Sequence, residues 1–247
     1  MTGSGTSGLS WTRTPQYPGY SWSPPPRPSR ITTSRTELLH LGVAYGVLTG
    51  CLLLLFSGNT YLGSGLAPPG FSGITPTLIL VAATAALTGF AAHELAHKIA
   101  AQRRGFWAEF RASPYGLVMA LVTSFLGFIL AAPGATVVGG ISEADRQNWG
   151  RTSLAGPMTN LVFATMFYGA SIVVYLAGSI LFVWLLVLAF INAWFGTFNL
   201  FPFGVLDGRK VIRWNSWVWA GAIGLTATAM TFTVLALYIF GTPLLVY

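Results

Sequence analysis

The chain has 247 residues, 53% of them hydrophobic and only 8% charged, against roughly 25% charged in an ordinary soluble domain. So little charge cannot cover a water-facing surface and excludes a soluble globular protein; a polytopic membrane protein is the class that remains. The net charge of +7 does not indicate nucleic acid, because the basic residues flank apolar runs as membrane topology requires.

Residues 1–35 are rich in Gly, Ser, Thr and Pro, with Arg13, Arg27, Arg30 and Arg35 and no acid. With no apolar core, this is not a signal peptide but a disordered basic tail, and residues 36–247 form the membrane domain. The first span is expected over 38–56, with Gly42, Gly46 and Gly50 allowing close approach of another helix. Cys51 lies within it, reads as a small buried hydrophobe, and as a single cysteine permits no intramolecular disulfide. A Gly/Pro-rich loop fills 57–76, and a second span runs from Thr77 to Ala101.

Residues 112–142 hold one helix-length apolar piece, then A-A-P-G and A-T-V-V-G-G, a turn and a short strand. Further spans are expected over 154–176, 180–203 and 216–240. Basic clusters precede span 1, follow span 2, and recur at Arg146/Arg151 and Arg209/Lys210/Arg213. All four reach the cytoplasmic side only if 112–142 enters the membrane and returns. The expected fold is therefore all-α and polytopic: five full crossings plus a re-entrant helix/strand hairpin, N-terminus in and C-terminus out. Six full crossings is the alternative count. The hairpin should line a cavity, since non-helical backbone at depth needs protein or water to satisfy it.

The second span ends in H-E-L-A-H, residues 93–97. On a helix, His93 and His97 share a face and can hold one metal ion, with Glu94 placed to act on a water there. A metal offsets the expense of three ionisable groups in lipid, roughly 2.5–3.5 kcal/mol each at bilayer centre. Zinc suits the ligand types but needs a third protein ligand. The extended soluble-protease pattern fails, because Ala100 and Arg103 stand where Gly and His would be needed. Glu37, Glu109, Glu143 and Asp145 lie outside or at the ends of apolar runs, which leaves Asp207 as third ligand and His40 as its competitor. His93 lies about 25 Å along the helix from Pro76 at 1.5 Å per residue, so the site falls within the bilayer toward its basic face. W-A-E-F-R (107–111) and A-T-V-V (135–138) are candidate strands for holding an extended peptide. Asn160, Asn192 and Asn199 are candidates for a polar route to the metal, Asn192 equally for a helix–helix hydrogen bond.

Three stretches, H-E-L-A-H (93–97), A-G-P-M-T-N (155–160) and N-L-F-P-F-G-V-L-D-G (199–208), resemble in order and spacing the site-2 protease family of intramembrane zinc metalloproteases, especially its small archaeal members. The resemblance covers roughly residues 38–215. It implies one Zn2+ on His93, His97 and Asp207, Glu94 as catalytic glutamate, and Asn199, with Asn160 less firmly, at the substrate or oxyanion. It also implies a multi-pass protein, cell-membrane localisation and transmembrane protein substrates in regulated proteolysis. The chain leaves no room for the PDZ or CBS domains of larger members. The rival reading is a non-catalytic transporter or channel with a structural metal site.

Overall fold

The computed structural model describes residues 31–58, 74–129, 133–140 and 145–241. The tail over 1–30 and most of the 57–76 loop lie outside the described residues. The chain builds α1 (Arg35–Phe56), α2 (Pro76–Ala86), a π turn (Leu87–Ala91), α3 (Ala92–Gln102), β1 (Trp107–Ala112), α4 (Pro114–Phe125), β2 (Gly134–Gly139), α5 (Arg146–Leu176), α6 (Phe182–Asn199), α7 (Asp207–Trp214) and α8 (Ser216–Gly241). Among the described residues, five helical stretches are long and apolar enough to cross a membrane: α1, the continuous α2–π–α3 stretch, α5, α6 and α8. The protein is thus a polytopic all-α membrane protein with a small β-ribbon.

Helix starts follow local chemistry. Ser34, Thr75, Ser113 and Asp145 each accept a backbone N–H from the first turn of α1, α2, α4 and α5, and Pro76 and Pro114 supply first-turn positions that need no donor. The Asp145 cap extends α5 two turns beyond its apolar part, so Arg146 and Arg151 belong to the helix rather than to a preceding loop. In the other direction, α6 ends at Asn199 rather than 203, before Pro202, which cannot continue it. Asp207 therefore begins a separate short helix instead of closing the span.

The central element is α6, which packs against α5, α8 and α2. The main apolar core joins α1, α2, the π turn and α6, with Phe110 of β1 inserted against Phe90 at 5.5 Å, edge to face.

Segment 112–142 contributes α4, too short to span, and β2, which returns antiparallel to β1. Phe110 pairs with Thr136 in the ribbon. Side chains from α1 and α3 engage the outer edge of β1 at three points. Glu37 Oε1 accepts Phe110 N–H (3.1 Å), His40 Nδ1 accepts Ala112 N–H (3.3 Å), and Gln102 Nε2 donates to Ala108 O (2.8 Å). Glu37 also meets Lys98 Nζ at 2.5 Å, with both side chains almost fully buried, and Lys98 donates to Thr33. One buried ion pair thus fixes α1, α3 and the ribbon to one another. Helix α3 runs across the ribbon, with Gln102 at Ala108 of β1 and Glu94 at Thr136 of β2.

Candidate metal centre

His93 and His97, one turn apart on α3, point their Nε2 atoms at one spot, 3.0 Å from each other. Asp207 Oδ2, at the start of α7, stands 3.3 Å from the first and 3.0 Å from the second. All three residues are buried. The other ring nitrogens are already committed. His93 Nδ1 meets Asn160 Oδ1 at 2.5 Å, and His97 Nδ1 meets Thr152 O at 2.8 Å. Each of those oxygens can only accept, so each Nδ1 carries the proton and each Nε2 presents a lone pair. Two lone pairs and a carboxylate then converge with no proton between them, an arrangement that calls for a cation. Ligand atoms about 2.0–2.1 Å from a tetrahedral zinc stand roughly 3.3 Å apart, close to the spacing here.

Gly156 keeps the space. A Cβ on it would run into the Nε2 atoms of both His93 and His97. Gly208 does the same for Asp207: a Cβ there would collide with the backbone of Leu200, so the D-G pair lets α7 start tightly against the end of α6. Lys210 Nζ lies 3.4 Å from Asp207 Oδ1.

The π turn directly precedes the motif. Wider i to i+5 bonding frees carbonyls, and Asn160 Nδ2 donates to Gly89 O (2.9 Å) while its Oδ1 holds His93. Asn192 Nδ2 donates to Thr88 Oγ1 at 2.9 Å. Both asparagines are completely buried. Asn160 therefore stands behind the imidazole rather than at the cleft, and Asn192 serves the helix–helix role.

Glu94 is half-buried beside the convergence point. Its Oε2 accepts from Thr136 N–H and from Thr136 Oγ1, each at 2.8 Å. A cavity of about 100 Å³ brings together His93, Glu94, His97, Thr136, Asn199 and Asp207. Asn199 donates Nδ2 to Phe195 O at 3.0 Å. His40, the competing ligand, is instead engaged with β1. Gly156, Thr152 and Thr136 were not singled out by sequence reasoning. Gly156 lies in the quoted A-G-P-M-T-N stretch, where a glycine before proline inside an apolar helix could have signalled a close approach. A backbone carbonyl such as Thr152 O leaves no side-chain signature.

Fold and site together define a multi-pass membrane protein with a buried two-histidine, one-carboxylate metal site. Over 154 residues the chain is 34% identical to a protein of Methanocaldococcus jannaschii named "Putative zinc metalloprotease MJ0611", a match spanning 62% of this chain and 78% of that one. No known family profile matches the chain, and no solved structure does. The chain belongs to the zinc metalloprotease family of that relative.

Proposed function

We propose that this metalloprotease works inside the membrane, as site-2 proteases do, hydrolysing peptide bonds in or near transmembrane segments of other proteins. The observation carrying this reading is that His93, Glu94 and His97 lie within a helix long and apolar enough to cross the bilayer, with Asp207 brought to the same end. A substrate must come to that depth. The basic residues at this end argue for a cytoplasmic-side site and a cytoplasmic N-terminus.

His93, His97 and Asp207 would hold the zinc, in the orientation that Asn160 and Thr152 impose. When bound, zinc supplies Lewis-acid polarisation of the water and of the scissile carbonyl. Glu94 takes a proton from the attacking water as its oxygen bonds to the carbonyl carbon. It returns that proton to the amine nitrogen as the C–N bond breaks. Asn199, on the same cleft, has a second amide proton for the substrate or the oxyanion.

A helical substrate hides its peptide bonds, so it must unwind locally. The β2 edge beside Glu94 then offers backbone partners to an extended chain. Two apolar cavities, about 300 and 370 Å³, share Ile129, Trp194, Phe195 and Phe198. The first opens on His93 and Glu94, and the second reaches Leu52 and Leu55 of α1. They suit the apolar residues flanking the cut.

The test is cleavage of a labelled single-span protein in vesicles by wild type and Glu94→Gln. The expected result is that zinc stays in both while turnover falls by about 10²–10⁴ in the variant. Full activity in Glu94→Gln would sink the reading and favour a structural metal.

A further inference from the structure

The first turn of α5 and two residues of α7 flank a further cavity next to the metal cleft, of about 290 Å³, lined by Arg146, Trp149, Lys210 and Arg213. The platform is built rather than incidental. Gly150 admits Trp214 so closely that a Cβ would collide with it, and the Arg151 guanidinium lies 5.7 Å from the Trp214 ring centroid. Lys210 sits 5.5 Å over the Trp149 ring.

Charge here is one-sided. Among the described residues, no carboxylate pairs with Arg146 or Arg213. Nearby Asp145 gives both carboxylate oxygens to Asn148, and Lys210 reaches Asp207 only at 3.4 Å. Arg104 has its guanidinium held below its ordinary value, first by burial and then by Arg151, so cations crowd this end of the molecule. Two spanning helices begin here, α5 at Arg146 and α8 at Ser216, which sets the cavity level with the lipid headgroups.

We infer that this cavity binds the phosphate headgroup of an anionic membrane lipid. Two guanidiniums and an ammonium suit a phosphodiester, Trp149 suits the interfacial glycerol region, and basic pockets between spans at the membrane surface take such headgroups. The volume is near the lower end of ligand pockets, about 300–1,000 Å³, so it admits a headgroup and leaves the acyl chains in the bilayer. Trp149 and Lys210 wall both this cavity and the metal cleft. A bound headgroup therefore borders the entry to the site, and anionic lipid raises the cleavage rate.

The experiment measures binding of fluorescent phosphatidylglycerol to the full chain, delipidated in detergent. Wild type is compared with Arg146→Gln/Arg213→Gln and with Arg103→Gln, which lies outside the cavity. Removing two cations near the surface is expected to weaken binding about thirtyfold, with Arg103→Gln near wild type and phosphatidylcholine a poor competitor. Equal binding by the double variant and wild type overturns the assignment. Inorganic phosphate binding as tightly as the lipid overturns it in favour of a soluble anion. Cleavage lost by the double variant equally in pure phosphatidylcholine vesicles overturns it in favour of an acidic substrate segment. The binding readout needs no protease activity, so it stands apart from the test of Glu94.

Discussion

Thr136 and Glu94 are joined three times: Thr136 N–H and Oγ1 both reach Glu94 Oε2 at 2.8 Å, and Thr136 Oγ1 also donates toward Glu94 O at 3.0 Å. A hydroxyl has one proton, so its two contacts share it, while the N–H bond is independent. Thr136 is also the register partner of Phe110, whose N–H is held by Glu37 on the far edge of the ribbon. Two carboxylates from two helices thus grip the ribbon at one level. One is buried and structural. The other is the proposed base.

Thr136→Val keeps the shape and the N–H but removes the hydroxyl. Cleavage is expected to fall about 10–100-fold, the usual cost of losing an orienting partner, mainly in kcat, with zinc retained. Thr136→Ser should restore most of the loss. Wild-type rates in Thr136→Val would show that the Thr136 hydroxyl does not position Glu94.

Gly156→Ala should empty the metal site without harming the helix. Alanine is favoured over glycine by about 1 kcal/mol in a helix interior, yet its methyl would occupy the space before both Nε2 atoms. Zinc per chain, measured by elemental analysis beside helix content by circular dichroism, should fall to near zero with helicity unchanged. Asp207→Ala should also lose or sharply weaken zinc. Full zinc occupancy in both variants would place the ion elsewhere.

Asn160→Ala tests the orienting role directly. His93 keeps its nitrogen but loses the acceptor that fixes its tautomer, and Gly89 O loses its donor. Zinc affinity is expected to drop about 10–100-fold, read by competition with a graded chelator. If Asn160 instead served the substrate, affinity would hold and only KM or kcat would move.

Much of this was legible in the chain because lipid makes polarity conspicuous. Few ionisable groups exist, and H-E-L-A-H with a lone membrane-level Asp207 stands out against apolar sequence. The same logic located the two strands and most span ends to within a few residues, though α5 begins eight residues before its expected start. What escaped the sequence depends on register in three dimensions. The π turn is a change of hydrogen-bond spacing with no fixed residue code. The ribbon's register comes from strand pairing, and it sets Thr136 on Glu94, 42 positions earlier in the chain. Glu37 and Lys98 each sit at the end of an apolar run and read as interfacial charges, yet their helices bring them together in the interior.

That buried pair supports a final prediction, because it can be separated from a simple ionic contribution. Breaking a buried pair by removing one partner costs about 3–5 kcal/mol, whereas replacing both partners with apolar residues is often neutral. Here Glu37 also accepts Phe110 N–H, and Lys98 also donates to Thr33. Glu37→Leu should lower the thermal unfolding midpoint in detergent steeply. The double variant Glu37→Leu/Lys98→Met should recover only part of it, since Phe110 N–H stays buried without an acceptor, at about 1–3 kcal/mol. The residual loss should coincide with slower cleavage, because β1 is no longer held where its partner strand meets Glu94. Complete recovery of both midpoint and cleavage in the double variant would reduce Glu37 to a charge partner of Lys98 with no hold on the ribbon.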